Sequence, residues 1–340
     1  REPDLGANVR VHRRSSLPFP SSTRQSRVAL PSPVAPAVLA LGARPDVIHA
    51  HSFFGVGLEA LLSGVMLKRP VVGTHHTTIA GFGPHIPVSV ERASAYVRWF
   101  HNRCDYVTAP SQSVFAELGA AKLRPPHRVI SNPIDTCLFM PAHDEERDGL
   151  RARFCLTCPT ITYAGRLGPE KNIEVLFHAL ARLRDDGAAA ELTIAGHGSH
   201  EPMLRRLAAD LRIDPRVRFL GTLPQRELAQ LLRISDAFAI MSTSETQSMV
   251  LLQAMASGVP VIAADSRALP EFVCAANGVL VDPHDPARLA AALRDVLAAP
   301  ERRRAWGAAG RRRAEQYSVE TVTDEWEALY RSVLQGGSAE

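Results

Sequence analysis

The chain has few cysteines and aromatic side chains, and it lacks a long uninterrupted apolar run. Its five cysteines among 340 residues are odd in number and scattered, which excludes a small disulfide-stapled fold and fits a reducing compartment. Prolines interrupt the apolar stretch at 28–41, and no run reaches the ~20 residues that a membrane-spanning helix needs. We therefore expect a cytoplasmic protein, with peripheral contact to the inner face of the membrane as an open alternative.

Acidic residues are missing from a long segment near the start. Residues 5–45 contain no Asp or Glu, and the net charge of the whole chain is only +4, which does not indicate a nucleic-acid partner. The segment could face phospholipid headgroups, form a solvated loop or belong to a transit peptide. Strand-like alternation at 9–12 argues against the transit peptide. The arginines of this segment are Arg10, Arg13, Arg14, Arg24, Arg27 and Arg44.

Apolar runs of strand length alternate with helical patterns, which predicts two α/β domains with parallel sheets. We place them at 1–142 and 154–316, joined by the charged segment 141–153, and expect a terminal helix within 317–334. In the first domain we expect strands at 46–51, 70–77, 106–109 and 128–130, and helices at 57–68, 90–102 and 111–118. In the second part we expect strands at 161–164, 192–195, 217–220, 237–241, 261–264 and 279–281, with helices between them and at 286–297, 301–315 and 319–334.

The most informative segment follows the strand at 237–241. A short polar loop leads to a helix that opens near Ser248 and stops at Gly258. Open α/β sheets bind ligands in such strand-to-helix loops, and a helix N-terminus favours an anion such as phosphate. Glu245 lies in this loop. Its carboxylate is better suited to accept hydrogen bonds from sugar hydroxyls than to contact a phosphate.

Two cations follow the strand at 161–164. Arg166 can bridge two phosphate oxygens and Lys171 can act as a point charge, so together they suit a nucleoside diphosphate. A solvated surface pair is the alternative, but Arg166 directly after a buried strand argues against it. Gly196, in the strand-to-glycine loop 193–198, is a weaker indication of the same ligand site.

These motifs resemble those of the retaining glycosyltransferases of family 4, which have the two-domain GT-B fold. The family pattern is Glu, seven residues, Glu, then Ala-Met-Ala-x-Gly-x-Pro-Val. Glu245 fills the first position and residues 254–261 match the tail, while 165–172 resembles the family's Gly-Arg-Leu…Lys-Asn motif. Gln253 replaces the second glutamate and Ser248 replaces a usual glycine. Gln253 can still bond a ribose hydroxyl, but without charge.

The resemblance implies transfer of a hexose, glucose or mannose, from a UDP- or GDP-sugar to an acceptor hydroxyl with retained anomeric configuration. No cofactor and no metal are expected. The family's opening strand and glycine-rich loop are not found, so we expect an incomplete first domain, on which the terminal helix returns to pack. Glu245 and His76 would be the catalytic residues. The donor-binding set would be Arg166, Lys171, Gly196, Thr222, Leu223, Ser248, Met249, Val250 and Gln253.

Metal binding is an alternative at two places. Histidines end two strands, with His49 in one pair and His76 in the other, but no carboxylate or thiolate spacing accompanies them. We expect a structural role for His49. The lone pair Cys155 and Cys158 lacks a second set of ligands.

The acceptor is expected to be a small molecule or a lipid such as diacylglycerol. The helix at 90–102 carries basic and aromatic side chains that suit a membrane interface, although Trp99 and Phe100 could equally belong to the core. The strand after it resembles that of glycolipid-forming members. Two other functions stay open: a non-catalytic sugar-nucleotide binder or partner subunit, favoured by Gln253 and Ser248, and a GT-B nucleotide-sugar epimerase, which would need further acid/base residues.

Overall fold

The computed structural model describes residues 8–13, 15–18, 27–29, 32, 42–77, 89–119 and 122–336. The strand-like alternation at 9–12 does not form a strand in the structure: its apolar face, Val9 and Val11, is 51% and 56% exposed and stays unburied. A short antiparallel pair follows instead, formed by β1 (Ser16–Pro18) and β2 (Arg27–Ala29).

The first domain is built on a parallel sheet of four strands that lie side by side in chain order. The second and third helices of this domain are each preceded by a serine N-cap, Ser89 and Ser111, whose hydroxyls accept backbone N–H groups of the first turn. The strands are β3 (Ile48–Ala50), β4 (Val71–Thr74), β5 (Tyr106–Ala109) and β6 (His127–Val129). The helices are α1 (Gly55–Leu67), α2 (Val90–His101) and α3 (Gln112–Leu118).

The second domain is built on six strands: β7 (Thr160–Ala164), β8 (Glu191–Ala195), β9 (Val217–Gly221), β10 (Ala237–Ile240), β11 (Val261–Ala264) and β12 (Gly278–Val281). They form a parallel sheet in the order β12-β11-β10-β7-β8-β9. The chain runs outward from β7 in one direction and from β10 in the other, so the switch point of this topology lies between those two strands. The helices are α4 (Asp144–Arg153), α5 (Ile173–Asp185), α6 (Glu201–Asp210), α7 (Gln225–Ile234), α8 (Met249–Ala256), α9 (Pro286–Leu297) and α10 (Pro300–Glu315). These sheets confirm the predicted fold class of two Rossmann-like α/β domains.

Helix α4 lies within the segment 141–153, where the sequence analysis placed the connection between the domains without predicting a helix. Leu150 packs half-buried against the core, but charged residues dominate the helix and leave no apolar stripe, which is why the sequence pattern did not reveal it. Arg147 and Arg151 form ion pairs with the carboxylate of Asp236 at 3.0 and 3.4 Å, and the Asp236 side chain is only 10% exposed. Such half-buried pairs fix the helix against the sheet that follows it.

The last helix, α11 (Val319–Leu334), packs on the sheet of the first domain. Its Val322 and Leu329 are buried against Val72, Tyr106 and Ile130. The chain thus crosses to the second domain and returns. Within the described ranges, no helix has both the length and the apolar content that crossing a bilayer requires.

Candidate functional site

The switch point of the six-stranded sheet carries a half-buried ion pair. Lys171 follows β7 and Glu245 follows β10, so the neighbouring strands bring the two side chains together. Lys171 Nζ lies 2.6 Å from Glu245 Oε1, and Nζ also lies 3.4 Å from the hydroxyls of Ser242 and Ser244. Both charged side chains are only 13–14% exposed. The pair places one positive and one negative charge at the edge where such folds bind ligands.

Arg166 occupies the outer side of the same edge. Its Nη2 lies 2.7 Å from Glu170 Oε1, and its side chain is 56% exposed. The buried Tyr163 side chain holds the loop that carries Arg166, because its hydroxyl donates a hydrogen bond to the Arg166 carbonyl at 2.9 Å. Arg166 therefore faces solvent, whereas Lys171 is held inside by its partners.

Three glycines bring the loops after β7, β8 and β9 into direct backbone contact. The Gly165 N–H donates to the Ala195 carbonyl at 2.9 Å, and the Gly196 N–H donates to the Gly221 carbonyl at 2.7 Å. Gly196 has φ +152°, and a Cβ built on it would lie 1.8 Å from the Gly165 oxygen. Only glycine fits here. Beyond Gly221, Thr222 is exposed and Leu223 packs half-buried against the core.

Helix α8 starts at the buried Ser248, beside the ion pair. The Ser248 hydroxyl accepts the backbone N–H of Leu251 at 3.4 Å. A glycine at position 248 would have no side chain to accept this N–H, which would then stay free in the first turn of the helix. Met249 and Val250 are half-buried against the core, whereas the Gln253 side chain is buried within the second turn. The predicted donor residues of this segment thus share one helical end.

Two polar side chains of the second domain, Gln247 and Glu271, form hydrogen bonds to the first domain; the sequence analysis did not single them out. Gln247 Oε1 accepts from the backbone N–H of Asn132 at 2.7 Å, and Gln247 Nε2 donates to the Asn132 carbonyl at 3.1 Å. The Glu271 carboxylate accepts the N–H groups of Gln112 and Ser113 at the start of α3, at 2.8 and 2.7 Å. Their partners lie more than a hundred residues away, so no local pattern could have found them.

His76 lies after β4 in the first domain, and its described contacts are to other histidines there. Its Nε2 is 2.8 Å from His51 Nδ1. Burial, aided by repulsion from a charged His51, lowers the pKa of His76 to about 4. Burial likewise lowers the pKa of His49 to about 3. Both rings are therefore neutral near pH 7 and can act as hydrogen-bond partners.

His49 has both ring nitrogens engaged. Its Nδ1 lies 2.6 Å from the Tyr330 hydroxyl and its Nε2 lies 2.6 Å from Thr74 Oγ1. This is the environment of a structural side chain. Across the part of the chain that the structure describes, no three His, Cys, Asp or Glu side chains are grouped as metal ligands.

Two family models match the chain, one for each half. "Glycosyltransferase Family 4" matches residues 1–137 and "Glycosyl transferases group 1" matches residues 154–313. The sulfoquinovosyl transferase SQD2 of Arabidopsis thaliana is 30% identical over 319 residues, which cover 91% of this chain and 61% of that protein. A GDP-mannose-dependent alpha-mannosyltransferase of Mycolicibacterium smegmatis is 33% identical over 331 residues, which cover 96% of this chain and 83% of the relative.

A solved structure shares the fold. Alr3699/HepE of Anabaena, determined in complex with UDP, superimposes with a TM-score of 0.79 at 22% sequence identity. The match covers 88% of this chain and 82% of that one. At 22% identity, this similarity shows a shared fold and nothing further.

Proposed function

The chain belongs to the family 4 glycosyltransferases of the GT-B fold, enzymes that transfer hexoses, and we propose that it moves glucose or mannose from a UDP- or GDP-sugar to an acceptor hydroxyl with retention. The observation that carries the proposal is the half-buried pair of Lys171 and Glu245 at the switch point, where Glu245 precedes the N-cap of α8 by three residues. A cation, a carboxylate and a helix N-terminus in one place suit the diphosphate and the sugar of one donor.

In this mechanism the leaving diphosphate is stabilised as its negative charge develops. Lys171, Arg166 and the first-turn N–H groups of α8 would supply the positive potential. These fixed charges would replace a divalent metal, so we propose that no metal takes part. We likewise propose that no further cofactor takes part in this step.

Glu245 acts on the sugar, on the other side of the bond between the anomeric carbon and the leaving diphosphate. Its contact with Lys171 holds the carboxylate in one position, where it would accept hydroxyl hydrogen bonds and support positive charge at the anomeric carbon. The acceptor hydroxyl attacks on the face from which the phosphate leaves, and the departing phosphate takes its proton. No side-chain nucleophile is required, and His76 would hydrogen-bond the sugar.

We further propose a lipid acceptor such as diacylglycerol, reached by peripheral contact of the first domain with a membrane. Trp99 on α2 is 42% exposed, whereas its neighbour Phe100 is fully buried, so only one of the two belongs to the core. The Arg103 guanidinium lies 4.1 Å from the centre of the Trp99 ring. This combination is typical of helices at a membrane interface. Further exposed apolar side chains at α1 are Phe54, Val56, Leu62, Val65 and Met66.

Changing Val65 to Glu tests this membrane contact. Val65 is 78% exposed, so the fold should tolerate the charge. We expect binding to vesicles of phosphatidylglycerol and diacylglycerol to fall about tenfold, because one side chain no longer enters the apolar layer. The measurement is co-sedimentation. Val319→Glu, on the exposed surface of α11, is the matched control, and equal binding by both variants and the unmodified protein contradicts the proposal.

The central experiment follows nucleotide release. The protein is incubated separately with UDP-glucose and with GDP-mannose, each with and without diacylglycerol vesicles. Release of UDP or GDP from one donor, increased by the lipid, supports the transferase and names the donor. Binding of both donors without any release would instead favour a sugar-nucleotide binder, the candidate that Gln253 and the Ser248 contact with the Leu251 N–H support.

A further inference from the structure

A second histidine stands beside the proposed catalytic one, and the mechanism above does not use it. His51 follows β3 and His76 follows β4, so two neighbouring parallel strands place their rings side by side. The ring centroids are 5.2 Å apart with an interplanar angle of 16°. The contact is formed by His51 Nδ1 and His76 Nε2 at 2.8 Å, a normal hydrogen-bond distance.

We infer that His51 is a positioning residue, which donates its Nδ1–H to His76 Nε2 and thereby keeps the His76 proton on Nδ1. In a neutral imidazole one nitrogen donates and the other accepts, so a donor on one side decides what the ring offers on the other. His76 would then present an N–H to a sugar hydroxyl. The inference rests on the proposed function, since it assigns His76 that contact.

The rings behind His51 support this role because they are themselves fixed. His49 is tied at both nitrogens, to Tyr330 and to Thr74. Its ring lies 4.0 Å from that of His51, and the Trp326 ring of α11 lies 4.7 Å from His49. His51 therefore packs against an immobilised ring, which restricts rotation of the His51 side chain and keeps it oriented toward His76.

The protonation states agree with this geometry. Burial lowers the pKa of His51, and burial with repulsion from His51 lowers the pKa of His76 to about 4. At neutral pH the contact is therefore an N–H facing a lone pair, rather than two N–H groups facing each other.

Two substitutions of His51 distinguish the effect of its hydrogen-bond donor from the effect of its side-chain volume. In His51→Asn the side-chain amide can replace the Nδ1–H donor, whereas His51→Leu keeps volume and loses the donor. We expect His51→Leu to lower kcat about 10- to 100-fold with little change in the donor KM, as loss of an orienting partner usually does. His51→Asn should restore most of kcat. His284→Leu, an exposed histidine of the second domain, is the matched control.

A second readout does not depend on turnover. With nitrogen-15-labelled histidine, NMR identifies which His76 nitrogen carries the proton, and the signal is assigned by its loss in His76→Gln. We expect Nδ1–H in the unmodified protein and in His51→Asn, and a shift toward Nε2–H in His51→Leu. An unchanged tautomer in His51→Leu, or unchanged kcat, overturns the inference. Failure of the unmodified protein to release nucleotide overturns the proposed function instead and leaves this readout valid.

Discussion

Replacing Lys171 by methionine is expected to lower kcat/KM of sugar transfer about 1000-fold, the loss typical of removing one preorganised charge that stabilises a transition state. The side-chain length is nearly kept, so the change removes charge rather than volume. The substitution acts twice: the diphosphate loses a cation, and Glu245, only 13% exposed on its side chain, loses its partner at 2.6 Å. Steady-state kinetics of nucleotide release measure the loss.

Lys122→Met is the control, because Lys122 is exposed on the first domain. It should leave kcat/KM unchanged, and circular dichroism should show both variants folded. If Lys171→Met retains more than about a tenth of the activity, the proposed donor site is wrong.

Replacing Gly196 by alanine is expected to lower the free energy of unfolding by about 3 kcal/mol and to abolish donor binding. At φ +152° an L side chain is strained, and the new Cβ would lie 1.8 Å from the Gly165 oxygen. The loops after β7 and β8 would have to separate, which moves Arg166. Denaturant unfolding gives the stability, and calorimetric titration with UDP and with GDP gives the binding.

Gly187→Ala is the matched control. Gly187 also has a positive φ, +78°, but nothing lies within 4 Å of a Cβ built on it. We expect a loss of about 1 kcal/mol from backbone strain alone, with nucleotide binding intact. Equal losses for the two variants would mean that backbone contact between the loops does not hold the site.

The sequence predicted most of the elements, and it did best where burial or a cap marks their ends. The strands Tyr106–Ala109 and Val261–Ala264 and the helices Pro286–Leu297 and Val319–Leu334 have the predicted bounds. It did not reveal α4, where charged residues dominate and ion pairs to Asp236 support the helix, so that no apolar stripe marks it in the sequence.

The sequence named the residues of the proposed site one by one, but it could not show the contacts between them. The sequence placed Lys171 and Glu245 after two different strands, yet only the order β10-β7 makes those strands neighbours. In the same way, Gln247 reads as one more polar loop residue until the fold brings Asn132 against it. Strand order and contacts between domains come from the packing of whole elements, which local patterns do not encode.

The return of α11 to the first domain has a consequence for how the chain matures on the ribosome. Multidomain chains generally complete their first domain first, as it emerges. Here the surface formed by Val72, Tyr106 and Ile130 is covered only when Val322 and Leu329 pack on it. Those two residues are synthesised after the whole six-stranded sheet. The second domain can therefore reach its native packing earlier than the first. Until then the nascent first sheet exposes an apolar surface to chaperones and to neighbouring chains.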